Sequence, residues 1–156
     1  MEKETQKIWN FFLKITEKEL NMNEYPDRLM LQKIVYLLQE TGINFGYDFN
    51  WYVKGPYCTQ LAADSFDLFE QKIKPKSIKL SEKENKLIKN LKKDFTHTVK
   101  SDNELELLGS LVYIRNQMKI KEKSAVIEKL MSLKPWYEKD AIEKMLKKIE
   151  NSQLFN

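Results

Sequence analysis

Tyr47–Asp64 reads YDFNWYVKGPYCTQLAAD, and the fold hangs on how this stretch is interpreted. Phe49, Trp51 and Val53 alternate with Asn50, Tyr52 and Lys54. That is the period of a half-buried strand, in residues that favour strands. Gly55-Pro56 stops the alternation. Gly55 accepts a positive φ, and Pro56 presets a helical φ while giving up an N–H that a first turn leaves unused. Leu61, Ala62, Phe66 and Phe69 follow near helical spacing. The stretch predicts a strand over 48–54, a sharp corner, and a helix from about Pro56 to Gln71. Trp51 is expected in the core, with Tyr52 and Tyr57 nearer the surface.

The chain on either side reads as helix. Upstream, Leu31, Ile34, Val35 and Leu38 form a stripe that Met30 and Leu37 widen, which predicts a central helix over 28–40. Asp27 suits its N-cap or first turn, and Gly42 its left-handed C-cap. Ile8, Phe11, Phe12 and Ile15 mark an amphipathic helix over 3–20, with Trp9 at the edge of its stripe. Downstream, KIKPKSIKL (72–80) contains Pro75 and the alternating Ile78 and Leu80, and is expected to pair with Phe49–Val53 as a small ribbon. Ser81 and Glu84 form a capping box ahead of Leu87, Ile88, Leu91 and Phe95. Ser101 and Glu104 repeat it ahead of a helix that is apolar nearly all round. Two more helices are predicted over 121–133, closed by Lys134-Pro135, and over 138–150. The sum is one mainly α domain over 1–156: a compact bundle of about seven helices with one short β-strand or small β-ribbon.

Composition narrows the function. At 156 residues, 42% hydrophobic and 32% charged, the chain is expected to be one globular domain. No apolar run approaches the roughly 20 residues that span a bilayer. The opening MEKETQK does not read as a signal peptide. A single cysteine, Cys58, suits a reducing cytoplasm, and one His with one Cys argues against a transition-metal site. Neither a phosphate loop nor a catalytic motif is present, so a non-enzymatic, cofactor-free protein is expected. His97, in the linker FTHTVK, reads as a surface residue, and Cys58 as a small packed thiol. Net charge is −4 over residues 1–70, +7 over 71–100 and +1 over 101–156. Lys72, Lys74, Lys76 and Lys79 therefore read either as a solvated face or as a nucleic-acid-binding patch. Only two of the 27 basic residues are Arg, which weighs against base-specific reading.

Gln32, Tyr36 and Gln39 share one face of the central helix beside its apolar stripe, with Lys33 adjacent. They read either as a boundary face bonding to loops or as a patch that grips a partner's backbone. Tyr52, Lys54, Gly55, Pro56 and Tyr57 extend that candidate surface onto the corner, since aromatic residues are enriched at interface hot spots.

Four blocks together resemble a known family: LQKIVYLLQETG (31–42), FNWYVKGPYCTQLAAD (49–64), LELLGSLVYI (105–114) and IEKLMSLKPWYEKDAIEKML (127–146). They look like the Panacea domain, the SocA-like antitoxin group, and most of all its YwgA-like branch. The resemblance implies a helical protein-binding module that neutralises a toxin by direct binding or acts as an adaptor. By position, Gln32, Lys33, Tyr36, Trp51, Tyr52, Gly55, Pro56 and Tyr57 match the signature. Lys54, Cys58 and Val112 depart from it, standing where an aromatic, a Ser or Val, and a His are common.

Overall fold

A computed structural model describes residues 2–72, 74 and 76–155, with side chains from Glu4 onward. Pro75, read above as part of a ribbon, lies outside the described residues. α2 (Tyr25–Glu40) is interior along most of its length, as its wide apolar stripe requires. It starts earlier than expected. Pro26 falls in the first turn, where its missing N–H costs nothing. Asp27, buried just inside, accepts from the Asn21 N–H (2.9 Å) and from Lys18 Nζ (2.5 Å), which fixes the loop entering the helix.

α5 (Asp102–Asn116) is the other inner helix and packs along α2. Leu105, Leu107, Leu108, Leu111, Val112 and Ile114 are all buried, so apolar residues all round the helix do report an interior position. α1 (Glu2–Thr16), α3 (Thr59–Glu70), α4 (Glu82–Asp94), α6 (Lys123–Leu133) and α7 (Lys139–Ser152) surround this pair, and a single 3-10 turn, Thr98–Lys100, precedes α5. The described residues thus form a mainly α bundle of seven helices with one two-stranded ribbon. The capping box at Ser81 is complete, whereas at Ser101 only its first half forms and Glu104 accepts from the Thr98 hydroxyl instead. Ser81 Oγ accepts from the Glu84 N–H (3.0 Å) while Glu84 Oε1 accepts from the Ser81 N–H (2.9 Å), and Ser101 Oγ accepts from the Glu104 N–H (3.2 Å). No helix among the described residues is long and apolar enough to cross a membrane.

The corner differs from its reading. β1 (Asn50–Tyr52) is followed by a second strand, β2 (Gly55–Tyr57), and the two pair antiparallel with Trp51 opposite Pro56. Gly55-Pro56 therefore leaves a hairpin turn instead of opening a helix, and α3 begins at Thr59. Val53 and Lys54 form the turn without positive φ, and Gly55 takes that strain at φ +91°. Nor, among the described residues, does the 72–80 segment join the ribbon. The Lys76 N–H donates to Gln6 Oε1 (3.1 Å), the Ile78 N–H to Asn10 Oδ1 (3.3 Å), and Asn10 Nδ2 donates to the Lys76 carbonyl (2.7 Å). Residues 76–80 are thus a strap laid on α1, tied there through the Lys76 N–H and carbonyl and the Ile78 N–H. α1 itself stops at Thr16 because Glu17 turns to φ +62°.

Candidate functional site

A ribbon with three residues per strand cannot hold its own shape. The polar face of α2 holds it from inside. Gln32 donates to the Cys58 carbonyl (3.0 Å) and accepts from the Cys58 N–H (2.8 Å). Two turns on, Gln39 does the same to Tyr47, donating to its carbonyl (2.9 Å) and accepting from its N–H (3.1 Å). The two amides pin both ends of the 47–58 segment. Between them Lys33, 0% exposed, donates to the Pro56 carbonyl (2.7 Å). Tyr36 donates to Glu40 (2.6 Å) and sets its ring edge-on to Phe49. Of the α2 residues read either as a boundary face or as a patch for a partner, Gln32 and Lys33 are buried. They are sealed inside and spend their hydrogen bonds on the protein's own corner. Gln39 is half-buried and engaged on both sides of its amide.

A second lysine holds the turn. Lys134, buried after α6, donates to the Val53 carbonyl (2.8 Å) and lies 5.3 Å and 5.4 Å from the centroids of the Trp51 and Trp136 rings. Its ammonium is 3.5 Å from the carboxylate of Glu106, which is buried on α5. Tyr137 donates to the same carboxylate (2.6 Å). Lys134 therefore forms a buried ion pair with Glu106 beneath the hairpin, and Lys33 lies in the field of the same carboxylate. Burial pushes the Lys33 ammonium down to about 7, with Glu106 pulling it up and Lys134 and Lys54 pushing it further down. Burial lowers Lys134 as well, against the pull of Glu106. It raises the Tyr137 phenol, as does the bond to Glu106. A Cβ on Gly55 would sit 2.7 Å from Ser110 Oγ, so both space and φ reserve that position for glycine.

Glu106, Lys134 and Tyr137 were not among the residues singled out from sequence. Glu106 did carry a signal, as a charge inside a helix that is otherwise apolar all round. Lys134 was visible only as the residue before a proline.

Outward, the hairpin presents an apolar and aromatic surface. Tyr52, Val53 (79% exposed), Trp136 (57% exposed) and Tyr25 are four of the six large apolar side chains that stand exposed among the described residues. The Tyr52 and Tyr57 rings meet edge to face at 5.4 Å. Arg28 lies over the Tyr25 ring, and its charge opposes the burial that raises the Tyr57 phenol. Lys54 is exposed at the tip. Trp51, expected in the core, is only half-buried and rests 5.4 Å from Tyr113. Lys72, Lys74, Lys76 and Lys79 are exposed and form no ion pair among the described residues. His97 is exposed and Cys58 buried. Neither a family model, nor a curated protein, nor a solved structure matches this chain.

Proposed function

We propose that the chain is a protein-binding module of the antitoxin type, neutralising a toxin-like partner by direct binding or delivering it as an adaptor. The observation that carries this reading is an exposed aromatic hairpin held rigid from below by Lys33, Gln32 and Lys134. Aromatic anchors dominate interface energetics, and a hairpin already fixed in place loses little entropy when it docks. The contact residues are Tyr52, Val53, Lys54, Tyr57 and Trp136, with Gly55 and Pro56 shaping the turn and Gln32, Lys33, Tyr36 and Gln39 supporting it. The toxin class of the partner comes from the motif resemblance.

The test is co-purification of the tagged chain from its native host, followed by affinity measurement on any small toxic protein that comes with it. Tyr52→Ala with Tyr57→Ala weakens binding by about tenfold or more if the hairpin is the contact. An affinity unchanged within a factor of about two rejects the hairpin as the site.

The exposed, unpaired lysines at 72, 74, 76 and 79 support a second reading, a nucleic-acid-associated protein. Phosphate contacts make affinity fall steeply with salt, and each lysine lost reduces the salt slope by about one. No mobility shift with duplex or single-stranded DNA at low salt removes this reading.

A further inference from the structure

α1 and α3, with the loop that follows α1, leave an open-sided groove of about 770 Å³ that includes none of the hairpin contact residues. Its size falls in the range of roughly 300–1,000 Å³ typical of small-molecule sites. Trp9, Leu13, Leu20, Phe66 and Phe69 supply its apolar lining. Two of these are unusual for an amphipathic helix. Leu13 on α1 is 43% exposed, where the helix would ordinarily bury it. Trp9 is 6% exposed, yet its indole N–H is buried without an acceptor among the described residues.

The charged lining is Lys14, Lys72 and Lys74 against Glu19 and Glu70, and none of the five forms an ion pair among the described residues. The balance of the lining is positive. The bonds from Gln6 and Asn10 to Lys76 and Ile78 anchor the chain beyond Lys74 to α1, so this cationic side of the groove is attached to its apolar side.

We propose that this groove binds a soluble organic monoanion with an apolar body, such as a medium-chain carboxylate. The carboxylate sits toward Lys14, Lys72 and Lys74, and the chain covers Trp9, Leu13, Phe66 and Phe69. The site is independent of the hairpin reading, and failure of one leaves the other standing.

The experiment titrates the full chain, ¹⁵N-labelled, with octanoate, 1-octanol and octylammonium, and follows the three indole N–H signals. A Trp9→Phe variant assigns the Trp9 signal. Octanoate is expected to move that signal saturably and to bind about fivefold tighter than octanol, the scale of two or three exposed charge contacts. Octylammonium binds weakest. Lys72→Glu with Lys74→Glu, both exposed positions, removes the advantage of octanoate over octanol. Leu13→Trp fills the groove and weakens both. An unmoved Trp9 signal, octylammonium binding as well as octanoate, or cosedimentation with phosphatidylglycerol vesicles that octanoate does not compete away would each overturn the proposal.

Discussion

The hairpin at 50–57 and the strap at 76–80 solve one problem with different chemistry. Each is a length of chain too short to stabilise itself, laid against helices by bonds from side chains to its backbone. The strap is held by two neutral amides, Gln6 and Asn10. The hairpin segment also has amides at its ends, Gln32 and Gln39, but at Pro56 and Val53 it is held by two lysines, Lys33 and Lys134, of which Lys134 pairs with the Glu106 carboxylate. An amide satisfies a carbonyl without carrying charge into the interior. A lysine does so only if its charge is compensated or its proton is lost. The hairpin is therefore conditional on Glu106 and on pH, and the strap on neither.

The largest break in this contrast is Glu106→Ala. It leaves Lys33 and Lys134 buried without their counter-charge and takes the acceptor from Tyr137. Urea unfolding is expected to show a loss of about 3–5 kcal/mol. A loss below about 1 kcal/mol would mean that the lysines are already neutral in the fold.

The second is the pH dependence. Lys33 falls from its ordinary 10.5 to about 7 on folding. Between those values the unfolded chain keeps a proton that the folded chain has released, so rising pH stabilises the fold. The gain is at most about 1.4 kcal/mol per pH unit. Below about pH 7 both states hold the proton, so the slope vanishes and the cost of burial is borne in full. Near pH 10 the sign reverses, because burial holds Tyr36, Tyr47 and Tyr137 above their ordinary 10.0, and they ionise first in the unfolded chain. Unfolding midpoints measured from pH 6 to 9.5 check the rise, and Lys33→Met flattens it.

Third, Gly55→Ala costs about 1–3 kcal/mol, from a positive φ and the contact with Ser110. The smallest effect sharpens the comparison from the other side. Asn10→Ala frees the Ile78 N–H and the Lys76 carbonyl at a cost of about 1 kcal/mol. Hydrogen exchange at Ile78 should quicken while the pH slope of the whole protein stays unchanged.

The same contrast explains what could be read from sequence. The inner helices were legible because α2 and α5 declare their burial through residues within each helix, and the caps at Ser81 and Ser101 because a cap is local. The corner was misread because Gly-Pro serves a helix start and a turn exit equally well, and Val53-Lys54 lacks the Asn-Gly signal of a tight hairpin. What selects the hairpin is distant in sequence: Lys33 reaches Pro56 across 23 residues, and Lys134 reaches Val53 across 81. Trp51 sits shallower than its alternation implies, because alternation predicts only a side, and among the described residues β1 pairs with β2 alone. On the surface, Tyr52 and Tyr57 were identified with Lys54, whereas Trp136 joins them only through the fold.

Cys58 is the only thiol in the chain, is buried, and has its own N–H and carbonyl clasped by Gln32. At 4% exposed the thiol reacts faster when the corner lifts away from α2, so the rate of its modification in the native protein is a stopwatch for that opening. No dye or engineered label is needed to time it. A partner that seats on the hairpin slows the stopwatch, and one that binds elsewhere leaves it running at the same pace.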